Sequence, residues 1–240
     1  MSEVKNRLAT EKAAYLRHSA SQKIDWYPWS EEPFKRAKLE EKPVLLSSGA
    51  IWCHWCHVMA KECFENSEII ELLNENCINI KLDRDERPDI DRIYQKAVAA
   101  MGSGGGWPLT VFLTPDKKPF FGGTYFPPEE QYGRPGFKNV IIKVLEFYRS
   151  HREDVDEFGL RLLDFLKQAP VSPGIVDETF LKDGLAVIIA ESDPQNGGFG
   201  DAPKFPLPGA MQFLLNRYFM SWEDSLGLVI KKTLFSMAAG

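Results

Sequence analysis

Residues 45–57 read Leu45-Leu46-Ser47-Ser48-Gly49-Ala50-Ile51-Trp52-Cys53-His54-Trp55-Cys56-His57, and they carry the strongest structural signal in this 240-residue chain. The apolar run that opens at Val44 is bounded by Pro43 and by small residues, which is typical of a central strand covered on both faces. From Cys53 onward the pattern is helical, so Cys53 is predicted to begin a helix, where free backbone N–H groups favour a thiolate. Cys56 lies one helical turn further on and can close a disulfide with Cys53. The stretch therefore predicts a redox couple.

Composition limits the class of protein. Hydrophobic residues make up 44% of the chain, and 34 acidic and 29 basic residues are well mixed at a net charge of −5, so no basic face for nucleic acid is predicted. The first ten residues lack the apolar region of a signal peptide, and no apolar run approaches the ~18 residues of a membrane span. We therefore expect a cytoplasmic protein that binds neither nucleic acid nor membranes.

The chain has four cysteines, which is too few for a disulfide scaffold. Cys63 lies two helical turns beyond Cys56, and Cys77 opens an alternating strand pattern; both are predicted to pack in the core. Cys53 combines a helix start with a strand-end position that we expect to be open to solvent. Cys53 is therefore the predicted reactive thiol.

Other patterns place further elements along the first 167 residues. An aromatic arm at residues 24–29 is predicted to bury its rings, Ser30 to cap a helix that runs to about residue 41, and Ser67 to cap another. The remaining predictions are a strand at 77–83, a helix at 89–101, and a long helix at 138–167 that can break near His151.

A glycine run at residues 102–106 leads into Trp107-Pro108 and the apolar strand 109–113. A proline that opens a strand after an aromatic residue is a candidate for a cis peptide bond. A turn then leads to residues 120–124, so an antiparallel hairpin is predicted. The glycine run lacks G-x-x-x-x-G-K-[ST] and precedes a strand instead of a helix, which disfavours phosphate binding.

This order of elements resembles the thioredoxin fold, an α/β fold with a central mixed sheet flanked by helices. Trp52-Cys53-x-x-Cys56 is similar to the active-site motif of thioredoxins, and Trp107-Pro108 looks like the position of their cis-proline, which binds the client backbone. More narrowly, residues 6 to about 128 resemble the thioredoxin-like domain of the spermatogenesis-associated protein 20 family, including the bacterial YyaL-like proteins. The matching stretches are Asn6-Arg7-Leu8, Asp25-Trp26-Tyr27-Pro28-Trp29, Cys53-His54-Trp55-Cys56-His57-Val58-Met59, Asp83-Arg84-Asp85-Glu86-Arg87-Pro88-Asp89, Gly105-Gly106-Trp107-Pro108-Leu109 and Phe121-Gly122-Gly123-Thr124-Tyr125-Phe126-Pro127.

The C-terminal part changes character. We expect a thioredoxin-like domain at 1–168, a linker at 169–176 and an all-α segment at 177–240 with helices near 177–191, 209–222 and 224–239. Residues 197–206 resemble the start of the family's second domain, an (α/α)6 toroid similar to sugar epimerases and six-hairpin glycosidases. Roughly three helices cannot close such a barrel, so we expect a fragment of a longer protein, without sugar chemistry. The apolar faces of these helices predict self-association.

Three functions compete at the sequence level. The first is a thiol-disulfide oxidoreductase without a cofactor, in which Cys53 attacks a protein or small-molecule disulfide, Cys56 resolves the intermediate and a cellular thiol reductant restores the dithiol. The residues expected to bind substrate or tune this couple are Trp52, His54, Trp55, His57, Trp107 and Pro108. The second is a non-catalytic module that binds or stabilises the toroid domain.

The third function is a bound haem or metal, since residues 53–57 match the C-x-x-C-H of c-type haem attachment. Covalent haem needs export and an exposed segment, which a motif behind a buried strand does not offer. Zinc needs three or four ligands, and the chain has no second C-x-x-C. We therefore predict no metal.

The resemblance also exposes one departure. Thioredoxins carry a buried aspartate six residues before the first cysteine, where it helps to take the proton from the resolving cysteine, and this chain has Ser47 there. A hydroxyl cannot act as a base, so we expect Cys56 to be activated less. His54 or His57 could compensate, because an imidazole accepts a proton near neutral pH.

Overall fold

The computed structural model describes residues 6–131, 133–167, 177–202 and 204–239. Two compact units are present, residues 1–170 and 171–240. The predicted linker at 169–176 lies outside the described residues, and the predicted domain boundaries stay a prediction.

The described part of the first unit includes a 3₁₀ turn, Arg7–Thr10, and a π-helical turn, Ala60–Phe64. Its strands are β1 (Trp26–Pro28), β2 (Val44–Gly49), β3 (Ile78–Asp83), β4 (Leu109–Leu113) and β5 (Pro119–Gly123). Its helices are α1 (Ala14–His18), α2 (Glu31–Leu39), α3 (His54–Met59), α4 (Ser67–Asn76), α5 (Pro88–Ala100), α6 (Phe137–Ser150) and α7 (Arg152–Lys167).

The five strands form one mixed sheet in the order β1-β3-β2-β4-β5. β1 and β2 run parallel to β3, whereas β4 is antiparallel to β2 and β5 is antiparallel to β4. In this register Ser47 on β2 stands opposite Lys81 on β3 and Thr110 on β4. The predicted α/β class, with a thioredoxin-like mixed sheet, flanking helices and a helical C-terminal part, is confirmed.

Each face of the sheet has its own apolar core, because side chains alternate along a strand. Leu45 and Phe112 pack with Met59 and the two helix cysteines on one face. Val44 and Leu46 pack with residues of α2 and α5 on the other. All six residues of β2 are buried, as expected for a central strand covered on both faces. Ser47 and Gly49 therefore lie on the face that carries the cysteine helix.

Some local predictions change. The aromatic arm buries Trp26 and Tyr27 as expected, but it also forms the edge strand β1, which the sequence did not predict because three residues that end in proline show no alternation. The predicted cap at Ser67 is wrong. The Asn66 side chain caps α4, accepting the N–H groups of Glu68 and Ile69, since the helix begins one residue earlier than expected. The predicted break near His151 is confirmed, because that residue separates α6 from α7.

The second unit consists of α8 (Glu178–Ala190), α9 (Pro208–Ser221) and α10 (Asp224–Ala239). Asp177 caps α8 by accepting the N–H groups of Thr179 and Phe180. A small apolar core joins the loop after α8 to the last two helices through Phe199, Met211, Leu214, Leu226 and Ile230. The resemblance to the start of a toroid stays a prediction. None of the helices in the described part of the chain combines the length and apolar composition that a bilayer crossing requires.

Large apolar side chains of the second unit are exposed, among them Phe205, Phe219, Met220, Trp222, Leu228 and Phe235. We expect the full 240-residue chain to self-associate through them, because exposed apolar patches of this kind promote association. A chain that ends at residue 170 should be more monomeric by light scattering at matched concentration. If the two chains contain the same number of copies per particle, this expectation is wrong.

Candidate redox site

The cysteine pair lies where β2 passes into α3. After β2 ends at Gly49, the N–H of Cys53 donates to the carbonyl of Ala50 at 3.1 Å, which turns the chain toward the helix. Cys53 is the N-cap of α3 and forms a disulfide with Cys56, with the two Cα atoms 5.3 Å apart. The backbone N–H of Cys56 points at the Cys53 Sγ at 3.2 Å. In the dithiol form this N–H stabilises a thiolate on Cys53, because an anion gains from an unpaired helix donor.

Cys53 is much less open to solvent than expected. Cys53 is 7% exposed and Cys56 is 2% exposed. Both cysteines pack into the apolar core beneath the cysteine helix, which leaves a narrow opening at Cys53. Around them Ile51, Trp52 and Trp55 are exposed. The disulfide therefore lies at the bottom of an aromatic rim.

Trp52 and Trp107 form one side of this rim, with ring centroids 5.9 Å apart. The Trp52 Nε1–H donates to Asp85 at 2.7 Å. The Arg84 guanidinium lies over the ring of the partly buried Trp107 at 4.6 Å, a cation–π contact that helps to hold the indole in place. Sequence reasoning did not select Arg84 or Asp85 for the site, although both lie in a motif used for the family resemblance.

Trp107 is also held from inside the domain. The Trp107–Pro108 peptide bond is cis. The Trp107 Nε1–H donates to the buried Asp91 at 3.0 Å, and the Ser48 hydroxyl donates to the same carboxylate oxygen at 2.6 Å. One carboxylate on α5 thus links the end of β2 to the loop that carries Pro108.

Trp55 forms the other side of the rim. Its ring lies 5.0 Å from the ring of Tyr125, whose hydroxyl donates to Glu62 at 2.5 Å. Partial burial and the nearby Glu62 carboxylate raise the pKa of Tyr125 to about 12. Tyr125 therefore stays a neutral donor at physiological pH, and the two aromatic sides together frame the disulfide.

The two predicted tuning histidines lie on the rim. His57 Nε2 is 2.7 Å from the carbonyl of Ile51, and its ring meets His18 edge-on at 5.0 Å. The His54 ring packs beside Trp55 at 5.8 Å. The His54 ring thus contacts a rim residue and the His57 ring contacts His18, and their compensation for Ser47 stays a prediction.

A lysine that sequence reasoning missed lies beneath the cysteines. Lys81 on β3 is 1% exposed, and its Nζ is 3.2 Å from the hydroxyl of Ser47. Burial lowers the pKa of Lys81 to about 7. The available signal was a lysine in the middle of the predicted strand 77–83, on the face that its alternation turns inward, where a charged side chain is rare without a role.

Across residues 6–131, 133–167, 177–202 and 204–239, no group of three or more His, Cys, Asp and Glu side chains is arranged to hold a metal ion.

Cys63 and Cys77 are free and buried, as predicted. Burial raises the pKa of each to about 12, which leaves almost no thiolate at neutral pH. The Cys53–Cys56 pair is therefore the candidate for thiol chemistry at this site.

Alkylation tests this division among the thiols. After reduction, a brief iodoacetamide treatment near neutral pH should label Cys53 first, because only a thiolate reacts and Cys53 has a helix N–H to stabilise it. Labelling of Cys63 and Cys77 should be slower by about a hundredfold or more, given the pKa that burial imposes on them. Mass mapping of the peptides measures all four rates. If Cys63 or Cys77 is labelled as fast as Cys53, the assignment of Cys53 fails.

Comparison with known proteins gives both closer and more distant relatives. Spermatogenesis-associated protein 20 of Homo sapiens is 41% identical over 228 residues, which are 91% of this chain and 28% of that protein, so the chain spans less than a third of its length. Disulfide bond reductase DsbH of Chlamydia pneumoniae is 23% identical over 118 residues, 48% of this chain and 70% of that protein. A solved structure of a DsbH oxidoreductase is 18% identical, covers 53% of this chain and 86% of its own, and superposes with a TM-score of 0.39.

A family match covers most of the chain. Residues 5–167 match Thioredox_DsbH, whose description is "Protein of unknown function, DUF255". The matched region contains all five strands of the mixed sheet and both cysteines of the disulfide. The similarity to spermatogenesis-associated protein 20 that the motifs predicted is confirmed. The chain therefore belongs to the Thioredox_DsbH family.

Proposed function

We propose that the first unit is a thiol-disulfide oxidoreductase whose redox couple is Cys53 and Cys56. The observation that carries the proposal is the disulfide itself, formed between a helix N-cap and the first turn of that helix at the end of the central strand. Membership of the Thioredox_DsbH family supports this class, and so does the similarity to a protein named as a disulfide bond reductase.

The proposal gives the two cysteines different steps. Cys53 is the more exposed residue of the pair, and in the dithiol form the N–H of Cys56 stabilises its thiolate. The Cys53 thiolate attacks a client disulfide, forms a mixed disulfide and releases one client sulfur as thiolate. Cys56 then attacks the Cys53 sulfur, which closes the internal disulfide and releases the second client sulfur. A cellular thiol reductant returns the couple to the dithiol.

The aromatic rim is the proposed binding surface for the client. Trp52 and Trp55 directly precede Cys53 and Cys56 in the chain and are exposed, while Trp107 is held next to Pro108 by Asp91. Exposed indole rings give a client peptide a large contact area with polar edges for hydrogen bonds. The chemical class that fits is a protein or small-molecule disulfide carried on an apolar or aromatic segment.

A redox titration tests the proposal. The protein is equilibrated with graded ratios of reduced to oxidised dithiothreitol and glutathione, quenched by alkylation and measured by intact mass. We expect a reversible two-electron transition confined to Cys53 and Cys56, with a potential near or below the cytosolic glutathione poise if the couple is a reductase. A pair that stays oxidised in every buffer, or that exchanges with Cys63, would favour the non-catalytic module instead.

A further inference from the structure

Lys81 occupies an unusual place for a charged residue. Its Nζ lies over three aromatic rings, 5.0 Å from the ring centroid of Tyr15, 4.9 Å from that of Trp26 and 4.5 Å from that of Phe64. Its polar contact is with the Ser47 hydroxyl at 3.2 Å. Ser47 is fully buried and stands opposite Lys81 in the sheet register. Lys81 therefore lies on the sheet face that carries the cysteine helix.

A second buried polar group connects this lysine to the cysteines. The Tyr15 hydroxyl is fully buried, and no atom completes a hydrogen bond with it at standard geometry, although the Ser47 hydroxyl lies close enough to lower its pKa. A Cβ on Gly49 would overlap both this hydroxyl and the Sγ of Cys56, at 2.7 Å from the sulfur. The hydroxyl and the sulfur thus both pack against the Cα of residue 49, and this close approach is possible because residue 49 is glycine. A buried hydroxyl without a partner is rare and calls for an explanation.

We propose that Lys81, Ser47 and Tyr15 form a buried proton relay that accepts the thiol proton of Cys56 during resolution of the mixed disulfide. This inference rests on the proposed function, and it assigns residues that the cysteine motif does not contain. Lys81 acts through Ser47 and Tyr15, so it is the terminal proton acceptor and does not touch the reacting sulfur atoms. It supplies the basic group that the Ser47 hydroxyl alone cannot provide.

Resolution of the mixed disulfide moves one proton from Cys56 to Lys81. The Cys56 S–H proton moves to the Tyr15 oxygen, the Tyr15 proton moves to the Ser47 oxygen, and the Ser47 proton moves to the lone pair of the neutral Lys81 amine. The resulting Cys56 thiolate attacks the Cys53 sulfur and forms the internal disulfide. The client sulfur leaves as thiolate and takes a proton from solvent. Lys81 returns its proton to solvent before the next turnover.

The charged and titratable groups around the relay agree with this role. Burial lowers the pKa of Lys81 to about 7, so its amine is partly neutral at physiological pH. Burial and the Asp83 carboxylate raise the pKa of Tyr15, while Ser47 lowers it slightly, so Tyr15 passes a proton without becoming an anion. The rings of Trp26 and Phe64, which also contact the Lys81 amine, carry no charge.

Ellman's reagent separates the two thiol steps in one experiment. The reduced protein should release one thionitrobenzoate when Cys53 attacks and a second when Cys56 resolves the mixed disulfide. We expect Lys81→Met and Tyr15→Phe to change the rate of the first phase by less than about twofold. The rate of the second phase should fall about tenfold or more. In the parent the second rate should rise with pH and level off near pH 7, whereas in Lys81→Met it should keep rising as Cys56 itself ionises. Lys61→Met, at an exposed lysine, and Tyr94→Phe, at a buried tyrosine of the opposite face, are the matched controls.

The outcomes separate the relay from the proposed function. If the parent releases no second thionitrobenzoate, the thiol-disulfide function fails and the relay fails with it. If the parent shows both phases, but Lys81→Met and Tyr15→Phe resolve at the parental rate and with the parental pH profile, the relay is overturned and the proposed function stands. A second phase that Lys81→Met slows equally at every pH would also overturn the relay, because packing or a fixed charge would explain it.

Discussion

Cys53→Ser should abolish the disulfide reduction that the parent catalyses. In a dithiothreitol-coupled insulin assay we expect a loss of about a hundredfold or more, because a serine hydroxyl is not ionised near neutral pH and cannot form the mixed disulfide. Cys56→Ser should also stop turnover, but for a different reason. Cys53 still attacks there, and the mixed disulfide has no internal thiol to resolve it.

Cys63→Ala is the matched control for this assay. Cys63 is fully buried, and its thiol donates to the carbonyl of Phe126 at 3.4 Å, away from the redox couple. Its removal should leave the rate within about twofold. If Cys53→Ser reduces insulin at the parental rate, Cys53 is not the attacking thiol.

Lys81→Met should make the first unit more stable at neutral pH, by roughly 2 to 4 kcal/mol. The pKa of Lys81 falls from its ordinary 10.5 to about 7 because burial penalises the ammonium. Methionine fills a similar volume between the rings of Tyr15, Trp26 and Phe64 without a charge. The gain in stability stays below the free energy that corresponds to the full pKa shift. The three rings attract the ammonium and so offset part of its desolvation.

The pH dependence of this gain has a definite sign. Between about pH 7 and 10.5 the unfolded chain holds a proton on Lys81 that the folded chain has lost, so the parent's free energy of unfolding rises with pH. Lys81→Met lacks this rise, and its advantage should shrink by about 1.4 kcal/mol for each pH unit above 7. Cys63 and Cys77 make the free energy of unfolding fall above about pH 9, because the unfolded chain releases their protons first. This fall is the same in the parent and in Lys81→Met, so it does not change the difference between them.

Urea unfolding at pH 7, 8 and 9 measures this difference directly. Lys61→Met, at an exposed lysine, should match the parent at every pH. A Lys81→Met variant that is less stable than the parent at pH 7, or whose advantage is independent of pH, would contradict the burial of a neutral amine.

Sequence patterns were sufficient for the parts of the fold that depend on local signals. The apolar run at β2, the cysteines at a helix start and the break at His151 each depend on a few neighbouring residues. The edge strand β1 was not predictable in this way. Its three residues join the sheet through backbone pairing with β3, which a short segment ending in proline does not reveal.

The site shows the same limit more clearly. The cysteine motif predicts Cys53 and Cys56, and the family resemblance draws attention to Ser47. The sequence cannot show that Lys81, 34 positions later, stands opposite Ser47, because strand register depends on the whole sheet. It also cannot show that the Tyr15 hydroxyl, from a five-residue helix near the N-terminus, reaches the space beside Cys56. Contacts between distant segments are thus what the structure adds.

The most direct test of the redox assignment is to trap the intermediate. Cys56→Ser is reduced, mixed with oxidised glutathione or with a disulfide-bonded peptide, and examined by intact and peptide mass spectrometry. The account predicts one adduct per chain, located on Cys53, that dithiothreitol releases and that the parent protein does not accumulate. An unmodified Cys56→Ser protein, or an adduct located on Cys63 or Cys77, would contradict the assignment of Cys53 and Cys56 as a thiol-disulfide exchange couple.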